Sequence, residues 1–363
     1  MNDHMMHPED IYLMEGMNGL KRVTEMFEDL FFMQHNVRIK VDGSPSFCIG
    51  YDDDRFFVAT KSLFNKVPKL YYSLEELEEL NPEPLREKMR CVFNHFKGCR
   101  FDGIYQGDLL FWDKKTKLTI RPNVLNYSID LAELEGKTLG CAIHTRYDGL
   151  NTLDHAEYCF DINRLNIPNS VFVYDTTVKE TKFDTTIYKT LQVLNVVSTR
   201  VYDNTVHHIE SMDDRKIFQQ FFNHCIREDI DIIGSHDIVT LLVDFAINYY
   251  QNKVDSYKTY EKKIEYIAKC KKCIFDLSKK ASYIIEIYRE IFLLKNDFIY
   301  GLNKYNQEEI CVNMKWHSFP DEQIKTKHEG YVVDLDGEAV KLVDREEFSY
   351  YNFSDKYIKG WEK

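Results

Sequence analysis

The string Lys40-Val41-Asp42-Gly43-Ser44 puts a primary amine, a carboxylate and a glycine within five residues. The preceding residues read as a strand. A lysine at its end, with Asp and Gly just beyond, projects its amine into a cleft, and the glycine permits a tight turn. A Lys-x-Asp-Gly string alone is weak, as any short motif is, and a lysine on a strand edge also serves to discourage aggregation. Other reactive groups offer less. Cys270 and Cys273 form a CxxC, but the Lys-rich, helical setting KCKKCIF supplies no second pair for zinc, so a thiol pair on a helix is the plainer reading. His207, His208, His224 and His236 lack ligand spacing, and no GxxxxGK[ST] loop is present.

The elements that position Lys40 follow from hydrophobic periodicity. Residues 16–34 read as an amphipathic helix through Leu20, Val23, Met26, Phe27, Leu30 and Phe31. Residues 37–64 hold two apolar runs around an Asp-rich turn at 52–54, a hairpin signature. Residues 74–95 look helical, with Ser73 as cap and Glu76 three residues on. Strand-like runs follow at 104–112, 118–121, 139–145 and 171–174, so the first 200 residues read as α+β. From 235 to 300 there is neither Gly nor Pro, and apolar residues recur every three to four positions, which predicts helix. The strand pattern returns near Val312, with Asp336-Gly337 as a two-residue hairpin turn.

The chain has 363 residues, a length that suits two or three domains or one elaborated α/β domain. Its 44% apolar content is enough for a sizeable core. The net charge of −12 argues against a histone-like or arm-type nucleic-acid binder, though not against a local basic groove. Residues 253–304 carry 12 Lys plus Arg against 7 Asp plus Glu, either solvated helix faces or a basic face for nucleic acid. Nine scattered cysteines point to reduced thiols, and no segment resembles a membrane span or a leader, so a cytosolic protein without membrane partners is expected.

Four further strings, in order, make the Lys40 motif resemble motif I of the covalent nucleotidyltransferase superfamily: ATP-dependent RNA and DNA ligases and mRNA capping enzymes. TKSLF at 60–64 looks like motif Ia, expected on the next strand, with Lys61 or Ser62 at the nucleotide or the nucleic-acid backbone. GIYQGDLLFW is similar to motif III, with Asp108 in place of the usual Glu at the ribose. HEGYVV matches motif IV, with Glu329 as metal ligand, and EAVKLV resembles motif V, with Lys341 as its first lysine. Beside these, Arg121, Asn123 and Asn126 are candidates to line the site, and His144 or Tyr147, at the position of motif IIIa, to stack on a base.

The resemblance implies an ATP-grasp-like ligase nucleotidyltransferase fold, α+β, with antiparallel sheets around a nucleotide cleft. The first part of that domain spans 1–204, an inserted helical domain 205–311, and the last part 312–363; no C-terminal OB-fold is expected, since 22 residues follow Lys341. It implies an ATP-dependent polynucleotide ligase, closest to bacteriophage RNA ligase-like proteins, which would place it in a host cytoplasm and suggest RNA repair. Lys40 would form a lysyl-AMP intermediate, then pass AMP to a 5′-phosphate for sealing by a 3′-hydroxyl, on RNA in preference to DNA.

In that scheme Lys40 and Lys341 are catalytic. Asp42, Gly43, Lys61, Ser62, Asp108 and Glu329 join them in binding ATP, and Glu329 and Asp108 hold Mg²⁺ or Mn²⁺. The Lys40 amine must lose its proton to attack the α-phosphate, and a neighbouring Lys341 with the metal is expected to lower its pKa. Two departures stand out. Val343 occupies the place of a second motif V lysine, for which Lys61 or Lys327 is a substitute. Without a substitute the first chemical step is weaker. The alternatives are a nucleotidyltransferase that caps or adenylylates an end or a protein without sealing, and an inactive ligase-fold binding protein, for which the missing lysine is the main hint.

Overall fold

A computed structural model describes residues 5–32, 37–112, 119–120, 124–129, 131–153, 155–158, 161–162, 165–179, 181–202, 212–306, 310–313, 323–335, 338–353 and 357. Helices α1 (Pro8–Glu15) and α2 (Met17–Phe32) are split at Gly16, whose φ of 65° suits a glycine. The periodicity of 16–34 is realised by α2, which buries Leu20, Val23, Met26, Phe27 and Leu30. Strand β1 (Val37–Lys40) comes next, and β2 (Ser46–Asp52) and β3 (Arg55–Ala59) form the expected hairpin, turning through Asp53.

The helix expected over 74–95 is broken. Ser73 does cap: its hydroxyl accepts from the Glu76 amide at 3.2 Å, and Glu76 accepts from the Tyr72 amide at 2.7 Å. The cap serves only a 3₁₀ turn at Glu76–Glu79, because Pro82 has no amide hydrogen to continue the ladder. The chain restarts as α3 (Glu83–Phe96).

Strands β4 (Ile104–Phe111), β5 (Thr119–Ile120) and β6 (Leu125–Ser128), the short helix α4 (Leu131–Leu134), and strands β7 (Leu139–Tyr147), β8 (Ala156–Glu157) and β9 (Val171–Val173) follow. One sheet runs β3-β2-β4-β7-β8, antiparallel, with β9 parallel to β7. One face of it buries Phe47, Ile49, Tyr105, Leu109 and Ile143 against Met89, Val92 and Phe96 of α3. Period-two alternation sends Ser46, Gln106, Asp108 and His144 to the other face.

Four helices come next: α5 (Thr185–Tyr202), α6 (Met212–Arg227), α7 (Ile238–Ser256) and the 46-residue α8 (Tyr260–Tyr305). Strands β10 (Ile310–Asn313), β11 (Gln323–Thr326), β12 (Gly330–Leu335) and β13 (Glu338–Val343) and helix α9 (Arg345–Phe353) complete the set. A second sheet runs β11-β10-β6-β5 and a third β1-β12-β13. In the last hairpin Leu335 pairs with Glu338; Asp336 and Gly337 lie outside the described residues.

The helical segment has no core of its own. It begins at Thr185 rather than near 205, and one continuous cluster joins Ile11, Phe27, Leu191, Phe222, Ile284 and Phe298 to Tyr331 and Leu342. The Phe27 and Phe298 rings stack with centroids 5.1 Å apart. Within α8, residues 260–276 bury only Cys270, whereas Leu277, Ala281, Ile284, Tyr288, Ile291 and Leu294 are all inside. Lys295 of α8 is fully buried and donates to Glu9 of α1 at 2.6 Å. Arg345 of α9 reaches Glu9 and Asp10 at 3.4 Å and Tyr288 at 3.4 Å, and bonds Asn223. Buried charges this closely paired tie α1, α6, α8 and α9 together, since separating any one leaves another unpaired away from water.

The architecture is α+β with antiparallel sheets. Among the described residues no helix is long and apolar enough to cross a membrane.

Candidate active site

The first and third sheets face each other across a cavity of about 410 Å³. The β1-β12-β13 sheet contributes Lys40, Val332 and Lys341, and the opposite sheet Ser46, Gln106, Asp108 and His144. The chain passes from one sheet to the other between Lys40 and Ser46. That crossing is stitched to β4: the Ser44 amide donates to the Leu109 carbonyl at 2.9 Å, and the Leu109 amide to the Pro45 carbonyl at 3.0 Å. Gly43 is required there, because a Cβ would lie 2.4 Å from the Leu109 carbonyl oxygen. Its amide donates to Asp108 Oδ2 at 3.1 Å.

Lys40 is buried at the end of β1, opposite Gly330 in the β1–β12 ladder. Its ammonium donates to Glu329 Oε1 at 2.8 Å and pairs with Asp42. Gly330 allows Glu329 to enter β12 this closely, since a Cβ there would sit 2.1 Å from the Leu342 carbonyl oxygen. Lys341 lies opposite Val332 in the β12–β13 ladder, and its amide donates to the Met6 carbonyl at 2.9 Å.

The electrostatics divide the two lysines in a way the sequence reading inverts. Burial would lower the Lys40 pKa, but Asp42 and Glu329 together raise it above the ordinary value, so the ligand-free amine is held protonated. It is Lys341 that is pushed down, by burial and by the Lys40 charge, against the pull of Asp42 and Glu329. The expected depression of Lys40 by Lys341 is thus overruled by the Asp42 carboxylate and the Glu329 carboxyl, both in direct contact. Burial and the Asp42 charge push Glu329 up to about 8, and the Lys40 charge keeps Asp42 low despite its burial. Both carboxyl groups contact the Lys40 ammonium.

The expected metal ligands were Glu329 and Asp108. In the structure Glu329 and Asp42 flank the Lys40 ammonium, while Asp108 is engaged by the Gly43 amide and lies 3.8 Å from His144 Nε2. A pair of hard oxygen donors, Glu329 buried and Asp42 open to the cavity, fits Mg²⁺ or Mn²⁺, which take remaining ligands from water and phosphate. Among the described residues no set of three His, Cys, Asp or Glu forms a metal-binding group.

Lys61 reaches the cavity, but from a 3₁₀ turn (Lys61–Phe64) after β3 rather than from a strand. Ser62 is not among the lining residues; its amide and hydroxyl meet Thr60 Oγ1 at 3.3 and 3.0 Å. Lys327 is also outside this cavity, so of the two lysines named as substitutes only Lys61 reaches it. His144 lines the cavity with Nδ1 tied to Thr145 Oγ1 at 2.7 Å. Tyr147 does not; it is buried, donating to Gln106 Oε1 at 2.9 Å. Asn126 is buried in β6, and Arg121 and Asn123 lie outside the described residues.

Sequence reasoning missed Arg38, Gln106, Tyr158 and Thr176 of the lining. Gln106 was within reach, since it stands two residues from Asp108 on one strand and must share its face. Tyr127 was missed as well. It is buried against the Asp42 backbone, and burial with the Glu329 and Asp42 charges drives its pKa well up.

The profile of a family described as a family of unknown function, DUF6267, matches residues 2–357, and the chain belongs to that family. No curated protein and no solved structure matches the chain.

Proposed function

We propose that this DUF6267 member is a lysine-dependent nucleotidyltransferase, an ATP-dependent polynucleotide ligase acting on RNA in preference to DNA. The observation that carries the reading is the Lys40 ammonium between Asp42 and Glu329, in a cavity walled by two antiparallel sheets and shared with Lys341. Motif order agrees with that geometry, since residues from five separate strings converge on one cavity.

In the first step the Lys40 amine attacks the α-phosphorus of ATP. A P–N bond forms, the P–O bond to pyrophosphate breaks, and the amine loses a proton. The carboxylates that hold this proton in the ligand-free protein must first be drawn off, and Lys341 opposes their hold. A divalent ion on Asp42 and Glu329 would supply positive charge against both the carboxylates and the phosphates. Asp108, with acceptor oxygens facing the cavity, suits a ribose hydroxyl, and His144 and Gln106 suit a base. A terminal 5′-phosphate then takes AMP from Lys40, and a 3′-hydroxyl displaces AMP to leave a phosphodiester.

A second reading, adenylylation or capping without sealing, draws on Val343, which is apolar and buried where ligases carry a second lysine. Incubation with α-labelled ATP or GTP and Mg²⁺ tests the shared step: covalent label on wild type that is stable to alkali, labile to acid and hydroxylamine, and absent from Lys40→Ala supports it. Absence of label with either nucleotide leaves the inactive ligase-fold protein. A panel of 5′-phosphorylated RNA and DNA then separates the two readings, because adenylylated ends without joined product exclude sealing.

A further inference from the structure

A second cavity, of about 320 Å³, lies between the end of α8 and the segment leading into β12. It is lined by Tyr300, Asn303, Lys304, Asn306, Thr326, Lys327 and His328, and shares no residue with the Lys40 cavity. The two lie on opposite sides of β12. Tyr331 turns to α8, where its hydroxyl donates to Asn303 Oδ1 at 2.9 Å, whereas Val332 lines the Lys40 cavity.

Its floor is polar and unsatisfied. His328 is 2% exposed, and its ring nitrogens have no hydrogen bond of normal geometry, only a poorly aligned approach to the Asn306 backbone. Asn303 is 8% exposed, and its Nδ2 has no acceptor. Asn306 and Thr326, by contrast, are satisfied: Asn306 accepts from the Lys179 amide at 2.7 Å and donates to the Leu302 carbonyl at 2.8 Å, and Thr326 donates to Glu347 at 2.5 Å. Folded proteins seldom leave buried donors unmatched, since each costs about 1–3 kcal/mol. The rim carries two lysines, and the ring of Tyr300, 68% exposed, has the Lys327 ammonium 5.8 Å from its centre.

We infer that this cavity is a binding site for a phosphate monoester. A phosphate offers three acceptor oxygens to the Asn303 amide, the His328 N–H and the two lysines. The cavity has room for more than the phosphate, and the exposed Tyr300 ring offers a stacking surface for an attached nucleoside. The end of α8 carries the negative pole of a long helix, so anion binding here relies on Lys304 and Lys327. The phosphate comes from a small nucleotide or from the 5′ end of a polynucleotide strand. The inference does not rest on lysine adenylylation.

The test uses the full chain with ¹⁵N-labelled histidine in a Lys40→Ala background, which weakens phosphate binding in the first cavity. The His328 signal is identified by its loss in His328→Gln. Titration with inorganic phosphate and with AMP is expected to move the His328 ring nitrogens saturably. Lys304→Ala/Lys327→Ala, with an unchanged melting temperature, is expected to weaken that response about tenfold or more. Stronger binding of AMP than of phosphate assigns a nucleoside on Tyr300. Binding of a 5′-phosphorylated oligonucleotide but not its 5′-hydroxyl counterpart assigns a strand end. Static His328 signals at saturating phosphate, an undiminished response in the double-lysine variant, or equal binding of the 5′-hydroxyl strand would each overturn the proposal.

Discussion

Lys40 and Glu329 are joined by a 2.8 Å hydrogen bond although 289 residues separate them in the chain. The contact is set by the antiparallel register of β1 on β12, which pairs Lys40 with Gly330 and so brings the carboxylate one residue earlier onto the lysine.

Glu329, pushed up to about 8, is protonated at neutral pH, and a divalent ion needs it as carboxylate. Metal affinity is therefore expected to rise with pH up to about 8 and to level off above. Calorimetry in buffers of different ionisation enthalpy is expected to show about one proton released per ion at pH 7. In Glu329→Gln that release disappears; proton release persisting there would place the metal elsewhere.

Lys341 faces the same cavity with its pKa lowered, and its charge is expected to matter most when negative charge moves onto the departing pyrophosphate. Lys341→Met is expected to slow self-adenylylation by about 10²–10³-fold, the usual cost of one preorganised charge or donor. Nucleotide affinity should change far less. Equal losses in affinity and rate would make Lys341 a binding residue only.

Gly43→Ala drives a methyl group into the Leu109 carbonyl. A stability loss of about 1–3 kcal/mol is expected from such overpacking. Asp42 should also shift away from Lys40, so adenylylation falls further than stability alone explains. Denaturant unfolding together with label incorporation at a temperature where both proteins are folded checks this.

Burial holds His328 down at about 4, below its unfolded value of 6.5. The unfolded chain then binds a proton that the folded chain refuses. Stability is full above pH 6.5 and is lost as pH falls from 6.5 towards 4, with His7, lowered for the same reason, adding to the loss. The His328 share is about 3 kcal/mol at most. Unfolding free energies at pH 7 and pH 5 are expected to differ less in His328→Gln than in wild type.

Lys295 and Glu9 are both fully buried. Lys295→Met is expected to cost about 3 kcal/mol because it leaves Glu9 with only the longer Arg345 contact at 3.4 Å, whereas Glu9→Met/Lys295→Met should recover much of that loss, Arg345 keeping Asp10. A double variant as unstable as the single one would show that Arg345 depends on Glu9 for its own place in the network.

What the sequence makes legible is local. Lys40 at a strand end, the β2–β3 hairpin and the β12–β13 hairpin follow from patterns only a few residues long. The Asp42–Glu329 pairing does not, because no pattern in either string states that β1 and β12 will be neighbours. Helix α1 was invisible for a different reason: Glu9 and Asp10 are charged and buried, so its periodicity is not that of a half-exposed helix. The helical region misled similarly. Ile264, Ile267 and Phe275 have the spacing of core residues yet are exposed, and Leu277 onward has the same spacing and is buried. Periodicity marks a helix without saying where along it the core begins.

The β1–β12 pairing also sets a clock. A chain made from its N-terminus at about 5–20 residues per second needs about 15–60 s to advance the 289 positions from Lys40 to Glu329. Throughout that interval Lys40 stands on a strand whose neighbour has yet to be translated, with one wall of its cleft missing. Whatever chemistry Lys40 performs belongs to the finished polypeptide and is closed to the nascent one.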